Sequence, residues 1–185
     1  MEYVIRPASP ADAEQLRTIY AWYVENTAVS FEYDAPSPEE FRGRIAGILQ
    51  KYPWLVLEED GIIRGYAYAG VFYPRAAYSR CCEVTIYLDR TAKGRGYGRK
   101  LYEALEAELK KKGNLNLYAC IADPITEDEY LTRQSEQFHQ HLGYTRAGTF
   151  HRCGYKFGRW YNMIWMEKLI GAHGENEQAS AGKAD

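Results

Sequence analysis

The sequence is poor in the features that mark several protein classes. Nowhere in its 185 residues does an apolar run approach the roughly 20 that a membrane-spanning helix needs. Met1-Glu2-Tyr3 opens no signal peptide. Charge of one sign is missing too: 23 Lys and Arg against 25 Asp and Glu leave a formal net charge of −2. That balance offers no electrostatic reason to expect nucleic acid or an anionic membrane as partner. The four cysteines (Cys81, Cys82, Cys120, Cys153) show neither CxxC spacing nor a nearby histidine pair. They read as reduced small hydrophobes, and no metal is expected. A cytoplasmic protein is expected, with residues 1–170 as its one domain. Residues 171–185 hold no aromatic and mostly small or polar side chains, so a disordered tail is expected there.

Tyrosine, by contrast, is abundant: 17 residues. Each brings an apolar ring and a hydroxyl that needs a partner, which suits a core opening onto a lined pocket.

Start signals and periodicity divide the chain. Val4-Ile5-Arg6 reads as a short strand ended by Pro7. Ser9-Pro10-Ala11-Asp12 then supplies an N-cap, a first-turn proline and an acid, with Leu16, Ile19, Tyr20 and Tyr23 at helical spacing behind it. Ser37-Pro38-Glu39-Glu40 opens a second helix that carries Phe41, Ile45, Ile48 and Leu49. Strands are predicted from Trp54 to Glu58 and from Ile62 to Val71 about an Asp60-Gly61 turn, and from Cys81 to Leu88. A helix over about 98–112 carries Leu101, Leu105 and Leu109 and ends in three lysines and Gly113. A strand over 115–121, a short helix over 135–142 and strands over 144–150 and 161–169 complete the order βααβββαβαββ. One strand–helix–strand crossover among hairpins makes this mixed α/β on a single sheet.

The informative segment joins the Cys81–Leu88 strand to the helix: Asp89-Arg90-Thr91-Ala92-Lys93-Gly94-Arg95-Gly96-Tyr97-Gly98-Arg99. Glycines there let backbone N–H groups converge, the helix N-terminus adds partial positive charge, and Lys93, Arg95 and Arg99 stand at the rim. Together they suit a phosphate or pyrophosphate. The spacing is neither the GxGxxG dinucleotide fingerprint nor a P-loop.

Lys93-Gly94-Arg95-Gly96-Tyr97-Gly98 resembles the pyrophosphate motif Arg/Gln-x-x-Gly-x-Gly/Ala of the GNAT superfamily of N-acetyltransferases, with Lys at its first position. Within it the chain is similar to the phosphinothricin N-acetyltransferase group. The matching stretches are Tyr3 to Ala8, Tyr52 to Val56, Tyr66 to Gly70, Glu83 to Tyr87, His139 to Tyr144 and Gly154 to Trp160. The resemblance implies the GNAT fold, a central mixed sheet of about seven strands flanked by about four helices. It also implies a homodimer, and acetyl-CoA as cosubstrate for acetylation of a small amino-acid-like amine. Phosphinothricin, methionine sulfone and methionine sulfoximine are the acceptors to try. A polyamine or peptide amine is the second enzyme reading, and a coenzyme-binding module without turnover the third.

The resemblance further assigns the coenzyme to Lys93–Arg99 and to Ile86, Tyr87 and Leu88, whose backbone groups would contact the pantetheine arm and polarise the thioester carbonyl. Glu83 falls on the family's proposed base. On a strand of apolar and weakly polar residues, sharing a face with Thr85 and Tyr87, it should have a raised pKa; the alternative is a structural Glu bound to backbone amides or Arg80. His139 falls near the acceptor pocket or is satisfied in the core. Phe31, Tyr78 and Thr85 are pocket candidates of the same kind. Ser135 matches a helix-start serine, for which N-capping suffices. Residues 123–134 depart from the family: they are acidic and hold no Asn, which family members place against the coenzyme. An acidic lid there would favour a cationic acceptor; a solvated loop is the alternative.

Overall fold

The structure, a computed structural model, describes residues 2–174; most of the tail expected over 171–185 lies outside them. Seven strands form one sheet: β1 (Tyr3–Pro7), β2 (Trp54–Glu59), β3 (Ile62–Val71), β4 (Cys81–Leu88), β5 (Asn116–Asp123), β6 (Thr145–Lys156) and β7 (Arg159–Leu169), in the order β1-β2-β3-β4-β5-β7-β6. Four α-helices accompany them: α1 (Ala13–Asn26), α2 (Pro38–Leu49), α3 (Tyr97–Lys111) and α4 (Gln134–His141). Every strand pair is antiparallel except β4 with β5, which are joined by the α3 crossover. No helix of the described residues is long and apolar enough to cross a membrane.

Pleating sorts the strand residues onto two faces. Leu55, Leu57, Ala67, Ala69, Val84, Leu117 and Ile164 pack against Leu101, Leu105 and Leu109 of α3. Their neighbours Trp54, Val56 and Tyr66 pack on the other face against Leu16, Ile19, Tyr20, Phe41 and Ile45 of α1 and α2. The tyrosines do open onto a pocket: Tyr20, Tyr66, Tyr68 and Tyr87 line a cavity of about 300 Å³ under α2.

Local differences from expectation have physical causes. A 3-10 turn over Pro10–Asp12 precedes α1, because Asp12 is engaged twice. It accepts the Ser9 N–H at 2.8 Å and both Arg6 NH groups at 2.9 Å. β6 runs six residues past Phe150. A bulge between Phe150 and Gly154, with Arg152 at φ 50°, lets it continue to a Phe157–Gly158 turn whose residues have φ 51° and 74°. Of the cysteines, all four unpaired, only Cys82 is the expected buried hydrophobe; Cys120 and Cys153 are exposed.

Candidate active site

β4 pairs with β5 only from Cys81 to Glu83, opposite Asn116 to Tyr118; beyond Glu83 the two strands separate. Which main-chain groups face the gap follows from one bond. The Asp89 N–H donates to the Arg64 carbonyl at 2.8 Å. Antiparallel alternation therefore turns the peptide groups of Tyr87 and Thr85 toward β3, and those of Ile86 and Leu88 toward the gap. The Leu88 carbonyl accepts the Tyr23 hydroxyl at 2.7 Å. The Ile86 N–H and C=O and the Leu88 N–H are left facing the opening. Two cavities occupy it: a large one of about 410 Å³ that reaches Lys93, and a small one of about 50 Å³ between Thr85 and Cys120. They share Val29, Ile86, Tyr87, Leu131 and Ser135 as walls.

At the wide end lies the glycine loop. Asp89 Oδ1 accepts the Thr91 N–H at 2.7 Å and starts a 3-10 turn over Arg90–Ala92. Gly94 and Gly96 have φ 78° and 75°, a left-handed conformation that only glycine adopts cheaply. Gly96 is the N-cap of α3 and no side chain caps the helix, so its first-turn N–H groups stay available for an anion. Gly98 serves differently from expectation: a Cβ there would meet the Phe138 ring at 2.9 Å, so its glycine lets α4 approach α3. Nor are the three rim cations equivalent. Lys93 lines the large cavity. Arg95 holds Glu59 by a two-pronged bond at 2.5 and 2.7 Å, with the Tyr97 hydroxyl on the same carboxylate at 2.6 Å. These two donors hold Glu59 down to about 2 and tie the loop to the end of β2. Arg99 reaches the His141 carbonyl at 3.4 Å and Glu103 at 3.9 Å.

Glu83 stands where β4 and β5 part, half-buried, and burial pushes its carboxyl above the usual carboxylate range. In register with it on β3 is Gly70, where an added Cβ would meet no atom within 4 Å, so there is space beside the carboxylate. Thr85, next on that face, bonds Tyr68 and lines the small cavity. Cys120 lines it as well. Desolvation, with the charge of Glu83, pushes this thiol up to about 12.

His139 also lines the small cavity, but it is a core residue, 3% exposed. Its Nδ1–H donates to the Ser135 carbonyl at 2.7 Å, so Nε2 accepts the Tyr102 hydroxyl at 2.9 Å. Burial pushes it down to about 4 and keeps it neutral. Ser135 does not cap α4, whose N-cap is Arg133 with no side-chain bond; its carbonyl instead belongs to the site's frame. Phe31 and Tyr78 are not brought to these cavities. Phe31 packs its ring on Gly154 and Tyr161, and Tyr78 packs on Phe72 and Tyr73.

The sequence reading missed the roof over the gap. The Lys156 ammonium is buried and donates to three carbonyls, Val24 at 2.7, Thr27 at 2.9 and Ser30 at 2.7 Å. This fixes the segment that carries Val29. The Ala28 N–H donates to the Tyr130 carbonyl at 3.0 Å, and Ala28, Leu131 and Tyr161 form a small core of their own. The acidic loop is tied down, and its Glu129, Tyr130, Leu131 and Thr132 line the large cavity. Asp128 accepts the N–H groups of Tyr130 and Leu131 at 2.8 and 2.9 Å, Arg159 pairs with Asp128 and Glu129, and Glu127 accepts the Arg133 N–H. Arg159 thus matches two of its carboxylates, Asp128 and Glu129, while the exposed Glu127 meets a main-chain N–H. A lone lysine in the alternating Gly154–Tyr161 stretch was the available signal.

A profile of the Acetyltransferase (GNAT) domain family matches residues 5–165. The phosphinothricin N-acetyltransferase of Streptomyces viridochromogenes is 33% identical over 164 residues, covering 89% of this chain and 86% of the relative. An L-methionine sulfoximine/L-methionine sulfone acetyltransferase of Salmonella typhimurium is 29% identical, over 90% or more of both chains, at 91% and 95%. Among solved structures, a GNAT superfamily phosphinothricin acetyltransferase from Sinorhizobium meliloti in complex with AcCoA superposes with a TM-score of 0.87 at 30% identity, covering 98% of this chain and 95% of that one. With the parted strands, the glycine loop and a match that spans nearly all of the described fold, the chain belongs to the GNAT family of acetyltransferases.

Proposed function

We propose that this protein, with residues 1–170 as its catalytic domain, moves an acetyl group from acetyl-CoA to the α-amine of a small amino-acid-like acceptor of the phosphinothricin or methionine sulfoximine type. One observation carries the reading: the opening between β4 and β5 has an uncapped glycine-loop helix at one end and a half-buried carboxylate at the other. Acetyl-CoA brings an activated thioester; the chain supplies the rest. Gly94, Gly96 and the first turn of α3 bind the pyrophosphate, with Lys93 beside them. The Ile86 and Leu88 peptide groups orient the pantetheine arm, while Tyr87 contributes its ring to the wall. An N–H of that edge stabilises charge developing on the carbonyl oxygen. Glu83 accepts the proton that the acceptor ammonium must lose; the freed amine bonds to the thioester carbon, the C–S bond breaks, and CoA leaves as a thiolate that takes up a proton as the amide nitrogen gives up its second one. Thr85 and the open space over Gly70 adjoin the acceptor, with Phe31 and Tyr78 as more distant margins.

Direct transfer is favoured over an acyl-cysteine route. Cys120 is the thiol in the gap, and desolvation with the charge of Glu83 pushes it up, away from the thiolate that an acyl-cysteine route needs. Cys120→Ala is expected to keep kcat/KM within about two-fold, because no thiolate is used. A loss of two orders of magnitude overturns the direct route. Gly96→Ala, strained by about 1–2 kcal/mol at its left-handed φ, is expected to raise KM for acetyl-CoA about 5- to 30-fold with little change in kcat. Steady-state titration of acetyl-CoA checks it.

The reading also makes the chain a cytoplasmic homodimer. Four unpaired cysteines suit a reducing compartment. The half-exposed Phe150, Tyr155 and Trp160 of the β6–β7 hairpin suit a self-complementary contact. The deciding experiment is thiol release from acetyl-CoA across amino-acid analogues, free amino acids, polyamines and peptides, with product masses checked. Turnover of the phosphinothricin or methionine analogues supports the proposal, and turnover of polyamines alone overturns the acceptor class.

A further inference from the structure

We propose that the buried Tyr102–His139 pair closes the far end of the gap between β4 and β5 and limits the acyl group that the enzyme accepts to acetyl. The inference rests on the donor-binding reading above and assigns His139 to the wall of the acyl site, away from the acceptor.

The order of residues along β4 gives the direction. The large cavity begins at Lys93 and passes Leu88, Tyr87 and Ile86; the small one continues past Thr85 to Val84, on the way to Glu83. A donor with its phosphates at the glycine loop therefore presents its acyl end to the small cavity. That space of about 50 Å³, against about 410 Å³ in the large cavity, narrows at the acyl end, which favours an acetyl group over one with two further methylenes. Beyond the shared residues, Thr85, Cys120 and Ala122 line one part of it, and Val84, Ala119, Ile121, Tyr102 and His139 the rest.

Tyr102 and His139 cannot easily yield. They are 1% and 3% exposed, and the Tyr102 hydroxyl donates to His139 Nε2 while His139 Nδ1–H is fixed on the Ser135 carbonyl. Rotating either ring leaves a buried polar atom without a partner. Phe138 and Tyr144 pack against both rings, with centroids 5.3–6.0 Å away. With both imidazole nitrogens engaged, His139 has no proton to exchange with a substrate, so its contribution is shape.

The test is the dissociation constant of CoA, acetyl-CoA, propionyl-CoA and butyryl-CoA by calorimetry, followed by kcat/KM for each donor with any acceptor that is turned over. The wild-type protein is expected to bind butyryl-CoA at least about ten-fold more weakly than acetyl-CoA, as a methylene-sized mismatch in a rigid pocket is worth roughly 10- to 200-fold. His139→Ala should raise the butyryl-to-acetyl ratio about ten-fold or more, whereas Tyr102→Phe, which keeps the ring, should leave that ratio nearer wild type. His139→Asn serves if the alanine variant does not fold. Equal binding of acetyl- and butyryl-CoA by the wild-type protein overturns the wall and leaves the acetyltransferase reading standing. So does an equal fall in kcat on every donor in His139→Ala, which marks a catalytic histidine. Failure of CoA itself to bind overturns both.

Discussion

Glu83→Gln is expected to lower kcat/KM for amine acetylation by about 10²- to 10⁴-fold at neutral pH, the range lost with a general base, while the affinity for acetyl-CoA stays unchanged. The amide keeps the size of the side chain and its place beside Gly70 but cannot take a proton. A pH profile gives an independent reading. The active form is the carboxylate, and burial raises its pKa, so the acid limb of kcat/KM should lie above the usual carboxylate range and disappear in the variant. Stability should move the opposite way. For a carboxyl raised in the folded state, the unfolded chain ionises first as pH rises, so stability is lost above the ordinary pKa and levels off above the raised one. Glu83→Gln should therefore melt at a higher temperature than the wild type at neutral pH, as expected of a group held charged for function. Full activity in the variant, with an unchanged profile, sinks the base assignment.

Lys156→Met is expected to be the most damaging change to the frame. It keeps the apolar stem and removes three charged donors, leaving the carbonyls of Val24, Thr27 and Ser30 without their partner. Losing bonds to a charged group while leaving buried acceptors unmade should cost about 2–4 kcal/mol. The Val24 carbonyl belongs to the last turn of α1, where a cation also complements the helix dipole. Lys156→Arg should rescue little, because three carbonyls converge on a point and a planar fork cannot follow them. Thermal unfolding measures the first effect. The second is on function: with the segment around Val29 loosened, both cavities lose a shared wall, and KM for acetyl-CoA should rise. An unchanged melting temperature would show that solvent replaces the ammonium and that the roof has another support.

The element order was legible because apolar spacing and capping residues are local. Ser37 accepts the Glu40 N–H at 3.1 Å as its start signal implied, and Asp60-Gly61 turns β2 into β3. Glu83, Thr85 and Tyr87 share a face, as alternation required. What stayed hidden involves distant partners. Lys156 and the residues that it holds are more than 125 positions apart, at sequence separations of 126 to 132. The pairing of Arg95 with Glu59 crosses 36 residues, and nothing near Arg95 distinguishes it from Lys93. That β4 and β5 part after Glu83 is a property of the sheet and no spacing reports it. The end of β6 was missed for a local reason: His151-Arg152-Cys153 interrupts the alternation, and the strand absorbs the interruption as a bulge.

The two kinds of group that β4 contributes have opposite parity. Side chains at 83, 85 and 87 address one face of the sheet, while peptide groups at 86 and 88 address the gap. The strand thus works as a two-sided ruler, with its zero set by the bond from Asp89 to Arg64. Deleting or inserting one residue between Tyr87 and Asp89 would turn the carboxylate toward Leu101 and Leu105 of α3 while offering the Tyr87 peptide to the gap. Acid–base chemistry and donor alignment would fail in one step, though no functional residue had been replaced. Change along this stretch of the chain is accordingly restricted to substitution, and any length variation must be taken up beyond Asp89 or before Cys81.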